Sequence, residues 1–392
     1  MAAVSRRFVA VILAIVFVDV FLQFAIVPLL PEFSEVAGLS KTQAGFIVAA
    51  YSGAVLLFSF PVGRLADRVG PRKVTIFGVV LLTAAIMLNA VATDFWSLMA
   101  VRLGQGVSSA ISWTAGLAWL TGSVPQERRP RVLTSAMTAA TLGALLGPVI
   151  SGPIAEHWGL HAPYVVFAVF TAILSLAALT LPDARGHVDE PASLREVADI
   201  VRGGGLLSAA LIVILIVAVV SGVIETLIPL ALGADGYSAV AISAVLAATG
   251  LLAVLTNTAV GGVYGRFGGV PIGMVAAATA ALGCVLMSLP AGAAAVAAIY
   301  VIFSPAITAQ YAVCFPLATE GADRTGLTHG VVMGATNVVW GLGFLIGPAA
   351  GAAIAQATSD RVSYLAAAAI SLAGAAWLRS LALSPVECQD SA

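Results

Sequence analysis

Charge is scarce in this chain. Only 9% of its 392 residues are Asp, Glu, Lys or Arg, against roughly 25% in soluble domains, so a soluble globule is excluded. Cysteine is rare as well. Cys284, Cys314 and Cys388 are scattered without metal-type spacing, which excludes a disulfide framework and a thiolate metal site. The four histidines form no H-x-x-x-H, and no Walker motif is present, so neither a metal nor ATP is expected. No metal or nucleophile constellation points to an enzyme. The net charge of −1 gives no reason to expect a nucleic-acid partner. What the chain has in abundance is apolar residues, 60% of the total, and that defines an all-α integral membrane protein in contact with the lipid bilayer.

A spanning helix needs about 20 mostly apolar residues. Twelve stretches meet that measure, at about 8–30, 42–66, 74–93, 95–121, 132–156, 162–181, 206–231, 238–263, 270–289, 291–319, 329–357 and 362–383. The opening M-A-A-V-S-R-R and apolar run imitate a signal peptide. The run continues into Pro28 and Pro31 without a small-residue cleavage site, so an uncleaved first helix is expected. Between the second and third stretches lies a charged hairpin, G-R-L-A-D-R-V-G-P-R-K, from Gly63 to Lys73. Its excess of Arg and Lys places it on the cytoplasmic side. With twelve crossings and both termini inside, every Lys and Arg falls in a cytoplasmic segment except Lys41, Arg361 and the intrahelical Arg102. An odd number of crossings would scramble that bias.

The longest polar stretch divides the chain into a six-helix bundle over 1–181, a linker over 182–205 and a second six-helix bundle over 206–392. In the linker, Ser193 and Glu196 have capping-box spacing. Leu194, Val197 and Val201 then share a face, so a short amphipathic helix lying along the membrane is expected. The halves repeat each other. Gly63, Asp67, Arg68 and Gly70 have a weaker copy in Gly261, Gly265, Arg266 and Gly268. Gly143, Gly147 and Pro148 recur as Gly343, Gly347 and Pro348, and I-V-P-L-L with Pro28 matches L-I-P-L-A with Pro229. Duplication of this kind implies two bundles that rock around a central site.

Four signatures, in order and on the right helices, make the chain resemble the major facilitator superfamily, and within it the twelve-helix drug:proton antiporters that include vesicular monoamine transporters. They are the Gly63–Lys73 hairpin, R-L-G-Q-G from Arg102 to Gly106, G-A-L-L-G-P-V-I-S-G from Gly143 to Gly152, and Asp19 with Pro28 and Pro31. Ser151 stands where that family commonly has Gly. The resemblance covers essentially the whole chain. It implies alternating access without a cofactor, with a proton gradient as energy source.

Asp19 lies midway along the first helix. A carboxylate at that depth costs several kcal/mol unless it is paired, protonated or facing a wet cavity, so it is the first candidate to carry protons or a cationic substrate. Gln23 is one turn on, on the same face. Glu225 is the second intramembrane acid; aligning Pro28 with Pro229 sets it roughly 7 Å nearer the outside than Asp19. The resemblance implies that Glu225 belongs to a polar cavity network. It also implies further acids in helices 10 and 11, where this chain has Tyr311 and Asn337, which lowers its capacity for protons and positive charge. Arg102 is expected either to balance Asp19 or Glu225 or to brace backbone carbonyls, with Gln105 sharing its surroundings. Tyr51, Trp113, Asn257, Gln310, Tyr311, Asn337 and Trp340 complete the candidate substrate cavity, the aromatic rings among them offering faces to a cation or a planar ring.

Gly143, Gly147, Pro148 and Gly152 are expected to serve packing between the halves. Small residues let helices approach, and Pro148 removes a backbone bond. Gly63, Asp67, Arg68, Gly70 and Arg72 are assigned to gating, with Asp67 accepting from the N-terminus of helix 11 near His329 and Gly330. These readings converge on a monomeric, proton-coupled antiporter of a bacterial inner membrane that exports small amphipathic or cationic organic molecules. The alternative is a proton symporter importing a sugar, nucleoside or other small metabolite.

Overall fold

The computed structural model describes residues 6–125, 128–182, 194–289, 292–325, 327 and 329–382, and among them every regular element is helical. The helices are α1 (Arg6–Ala25), α2 (Leu30–Val36), α3 (Lys41–Val69), α4 (Pro71–Asn89), α5 (Phe95–Ile111), α6 (Leu117–Ser123), α7 (Arg129–Trp158) and α8 (Ala162–Leu179). They continue with α9 (Leu194–Gly203), α10 (Gly205–Ala234), α11 (Ala239–Phe267), α12 (Gly269–Met287), α13 (Ala293–Thr325), α14 (His329–Ala357) and α15 (Asp360–Ala382). Eleven stretches of this path are long and apolar enough to cross a membrane. The remaining crossing is Phe95–Ser123, helical throughout, in which a π-helical turn at Ser112–Gly116 joins α5 to α6.

The ends of the helices follow from local chemistry. At the start of α3, Ser40 Oγ accepts from the Gln43 N–H at 3.2 Å and Gln43 Oε1 accepts from the Ser40 N–H at 2.9 Å, a reciprocal cap that satisfies two otherwise orphaned donors. The same helix stops at Gly70, whose φ is +97°. A side chain there would be strained, and Pro71 then opens α4 with its φ already helical. Gly268, at φ +73°, makes the corresponding turn between α11 and α12, so the two copies of the hairpin share a backbone device even where their charges differ. The first crossing differs from expectation. It does not end near residue 30 but passes through a 3-10 turn at Val27–Leu29, around Pro28, and continues as α2 to Val36.

The chain divides into two compact units, 1–191 with 229–247, and 192–228 with 248–392. In the first, α1 packs along α7. A β-carbon at Gly143 would overlap the Phe17 carbonyl oxygen, and one at Gly147 would overlap that of Phe21. These glycines therefore seat α7 on the first helix of their own half, which corrects the expectation that they pack the halves together. Gly152 alone of the three meets the 229–247 segment, at Ala239 and Ser243, and there Ser243 Oγ donates to the Pro148 carbonyl at 2.7 Å. The second unit repeats the design. Gly343 and Gly347 on α14 sit against Ala218 and the Val219 carbonyl of α10.

The linker helix α9 is present. Its expected cap at Ser193 lies outside the described residues. Val197 is buried, and Ile200 and Val201 pack with it on a cluster containing Leu207, Val332 and Ala335. Val197, Ile200 and Val201 thus pack on the core of the second unit.

Candidate functional site

The two intramembrane acids stand on α1 and α10, two crossings that are mostly enclosed by protein. Asp19 is fully enclosed, at 1% exposure. Its Oδ2 accepts from Ser109 Oγ at 2.8 Å and from the indole Nε1 of Trp113 at 3.1 Å. Ser109 Oγ in turn accepts from the Tyr51 hydroxyl at 2.7 Å. Asp19 Oδ1 is buried and has no hydrogen-bond partner. A carboxyl group is therefore fixed through one oxygen by two donors of the fourth crossing, one of them backed by Tyr51 of α3, while the other oxygen is held buried without a hydrogen-bond partner.

Sequence reasoning named Asp19, Tyr51 and Trp113 and missed Ser109. The signal for it was helical spacing. Arg102, Gln105, Ser109 and Trp113 follow one another at three or four residues, which is one face of a helix. The face meets α3 closely because a β-carbon at Gly106 would overlap the Tyr51 carbonyl oxygen. The second glycine of R-L-G-Q-G thus works by letting the fourth crossing approach Tyr51. The π-helical turn begins at Ser112, immediately before Trp113, and re-phases the helix where the indole reaches Asp19.

Arg102 does not pair with an acid. Its Nη1 donates to Gln105 Oε1 at 2.9 Å and to the Gln23 carbonyl at 3.5 Å, and its Nε donates to the Ile47 carbonyl at 3.3 Å. The guanidinium lies 5.0 Å from the centre of the Tyr51 ring. Of the two expected roles the geometry gives the brace. The cation is neutralised by dipoles of α1 and α3 and by a ring face, and it ties those helices to α5. Gln23 enters the site through its backbone carbonyl, and Gln105 through its side chain, whose Nε2 is left buried without a partner.

In the second unit, Glu225 lies within electrostatic range of Tyr300 and Tyr311. These tyrosines are eleven residues apart and share one face of α13. Ser221, one turn before Glu225, and Trp340 lie beside the buried Tyr311 hydroxyl, within reach of a side-chain hydrogen bond. Thr249 lies beside Tyr300. Sequence reasoning found Glu225, Tyr311 and Trp340 and missed Ser221, Thr249 and Tyr300. Gln310 is not part of this set. It is buried with its amide donating to the Ala306 carbonyl of its own helix at 3.4 Å. Asn257 and Asn337 are exposed.

In the hairpin, Gly63 is buried while Arg64, Asp67 and Arg68 are exposed. Arg72 reaches back to the end of α8, donating through Nε to the Leu181 carbonyl at 3.0 Å and through Nη2 to the Leu179 carbonyl at 2.8 Å.

A buried carboxyl group on a broken first crossing, a duplicated hairpin and two glycine-seated helix pairs define a multi-pass membrane protein of the transporter class. The chain belongs to the Major Facilitator Superfamily, whose model matches residues 12–341. Among named relatives it is 34% identical over 135 residues to the MFS-type transporter ppzB of Metarhizium rileyi, which is 34% of this chain and 28% of that protein. It is 29% identical over 155 residues to Multidrug resistance protein 2 of Bacillus subtilis, 40% of this chain and 38% of that protein. The chain thus spans 28% to 38% of the length of these two relatives. In fold it is similar to a bacterial homolog of the human lysosomal transporter Spinster, with a TM-score of 0.75 over 95% of this chain and 96% of that one, at 14% identity.

Proposed function

We propose that this protein is a proton-coupled antiporter that exports small amphipathic or cationic organic molecules, working as a monomer in a bacterial inner membrane without a cofactor. The observation that carries the reading is the Asp19 carboxyl group, donated to on Oδ2 by Ser109 and Trp113 and unpartnered on Oδ1. A proton or an organic cation can each neutralise that carboxylate, and the two compete for its single charge. Competition at one carboxyl group is the simplest coupling of opposed fluxes. The Glu225 set, with its two tyrosines and Trp340, supplies a second acid and ring faces for an amphipathic molecule. The likeness of part of the chain to a multidrug resistance protein supports the same reading. Asp67, exposed at the end of α3, is proposed to latch one state of the cycle against the N-terminus of α14, so its replacement slows exchange without changing substrate preference.

The test is accumulation of ethidium in cells expressing the chain. A protonophore should raise intracellular ethidium in cells with the wild type and have no such effect with Asp19→Asn. A fall on adding protonophore makes the protein an importer, and undiminished export by Asp19→Asn removes the acid from coupling.

A further inference from the structure

The Asp19 site contains a feature that a simple proton acceptor does not need. The hydroxyl that donates to the acid is itself donated to by a second hydroxyl. Ser109 has one proton and two lone pairs. In the observed arrangement that proton goes to Asp19 Oδ2, and the Tyr51 proton goes to Ser109 Oγ. This chain suits a charged carboxylate, which only accepts.

A protonated Asp19 must donate. Its Oδ1 has no neighbour to donate to, and Trp113 offers only an N–H, which is a donor. Ser109 Oγ is the hydroxyl oxygen already hydrogen-bonded to the carboxyl group, with the Tyr51 phenol also within reach of it, and Ser109 Oγ becomes free to accept if its own proton turns to the Tyr51 phenol oxygen. The Tyr51 proton then turns to the Asp19 carboxyl group, the other hydrogen-bond neighbour of the phenol. One proton is gained by Asp19, two hydroxyl protons rotate, no bond between heavy atoms forms or breaks, and no side chain has to move.

We propose that Ser109 and Tyr51 are positioning residues that hold Asp19 in one place in both of its protonation states, by reversing the direction of the Tyr51–Ser109–Asp19 hydrogen bonds. The inference rests on the reading of Asp19 as the proton-carrying group. The rest of the surroundings is quiet. On α3, α5, α7 and α8 the buried ionisable groups are Tyr51, Arg102 and Tyr164, while Lys41, Arg64, Asp67, Arg68, Arg129, Arg131, Glu156 and His157 lie towards the helix ends and are not buried. Arg102 is committed to Gln105, to backbone carbonyls and to the face of the Tyr51 ring. That contact holds the ring while leaving its hydroxyl able to turn. Sequence position supports the pairing, since Gly106 is what brings the Tyr51 backbone against the fourth crossing.

The experiment reads Asp19 directly and needs no substrate. The full chain is placed in lipid nanodiscs, and the infrared band of protonated carboxyl groups is titrated from about pH 4 to about pH 10, with the spectrum of Asp19→Asn subtracted. The wild type should show one titrating band that the Asn variant lacks. Ser109→Ala should displace its midpoint by about one pH unit, the worth of a hydrogen bond to a charged group. Ser109→Thr, which keeps the hydroxyl, should restore it. Tyr51→Phe, which leaves Ser109 able to donate but fixes no direction, should displace it less and broaden the band. Midpoints within about 0.3 pH unit of wild type for both Ser109→Ala and Tyr51→Phe would overturn the relay while leaving Asp19 its role. Absence of any band that disappears in Asp19→Asn overturns the reading of Asp19 and the relay with it. Tyr51→Phe keeps the question open to an answer if Ser109→Ala does not fold.

Discussion

Arg72 Nε lies 3.0 Å from the carbonyl oxygen of Leu181, and its Nη2 lies 2.8 Å from that of Leu179. The carbonyls at a helix C-terminus have no partner within the helix and carry the negative end of its dipole. A planar guanidinium meets two of them at once, so a residue assigned to gating from sequence also clamps the first turn of α4 to the end of α8. Arg72→Lys supplies the charge but not the fork. Both Arg72→Lys and Arg72→Ala should therefore lower the unfolding temperature in detergent. The Ala variant should lose about 1 kcal/mol, as for a partly exposed charge-assisted contact. Substrate preference should not change, and a changed preference would show that the hairpin does more than brace and gate.

Gly147 and Gly261 look alike in sequence but should respond oppositely to Ala. A β-carbon at Gly147 overlaps the Phe21 carbonyl oxygen on α1, whereas nothing lies within 4 Å of one at Gly261. Backbone cannot rotate out of the way as a side chain can, so Gly147→Ala should cost about 1–3 kcal/mol through forced separation of α1 and α7. Gly261→Ala should be neutral or stabilising by up to about 1 kcal/mol, the ordinary helix preference for Ala. Gly347→Ala, against the Val219 carbonyl, should follow Gly147. Thermal unfolding of the three variants decides the matter, and equal effects at Gly147 and Gly261 would contradict the packing.

The crossings were legible because twenty-residue hydropathy is a local property, and the hairpins because Gly and Pro mark their turns. Asp19 was legible because an acid in an apolar run has no cheap explanation. What could not be read was which neighbour each helix chooses. Gly143 and Gly147 announce a close contact, but nothing in their own sequence says that α1 supplies the other side. Ser109 was missed because a serine in a membrane helix is common, and it becomes informative only when Tyr51 and Asp19 are found on either side of it. Arg102 kept two possible roles in the sequence for a related reason. A sequence shows which acids could pair with it, whereas the acceptors it uses include backbone carbonyls, which every residue has.

Asp94 offers a pH-dependent prediction away from the membrane spans. It caps α5, its Oδ1 accepting from the N–H groups of Trp96 and Ser97 at 2.9 and 3.2 Å while Ser97 Oγ donates to Oδ2 at 2.8 Å. The Ser97 hydroxyl and amide, then the Trp96 amide, hold its carboxyl below the usual carboxylate range. A value depressed in the folded protein means stabilisation that is present above the unfolded value and lost as pH falls through the folded one. The unfolding temperature of wild type relative to Asp94→Asn should therefore stay level near neutrality and decline below about pH 4. A relative decline centred near neutrality would point to another group.

Arg102 provides the test that separates a brace from an ion partner. Its hydrogen bonds run to Gln105 Oε1 and to the carbonyls of Gln23 and Ile47, with the Tyr51 ring beneath. None of these acceptors changes when Asp19 becomes Asn. Removing a buried guanidinium leaves the carbonyls and the Gln105 oxygen short of a donor, so Arg102→Gln should cost about 3 kcal/mol. It should cost that in the wild type and in Asp19→Asn alike, with a coupling energy below about 0.5 kcal/mol in the double-mutant cycle. Had the cation balanced the acid, removing both charges would be cheaper than the sum of removing each, and the cycle would show at least about 1 kcal/mol of coupling. Denaturant unfolding of the four proteins in detergent measures the difference. A large coupling would return Arg102 to the charge balance of Asp19, and a small one keeps it as the residue that holds Tyr51 and α1 in register around the acid.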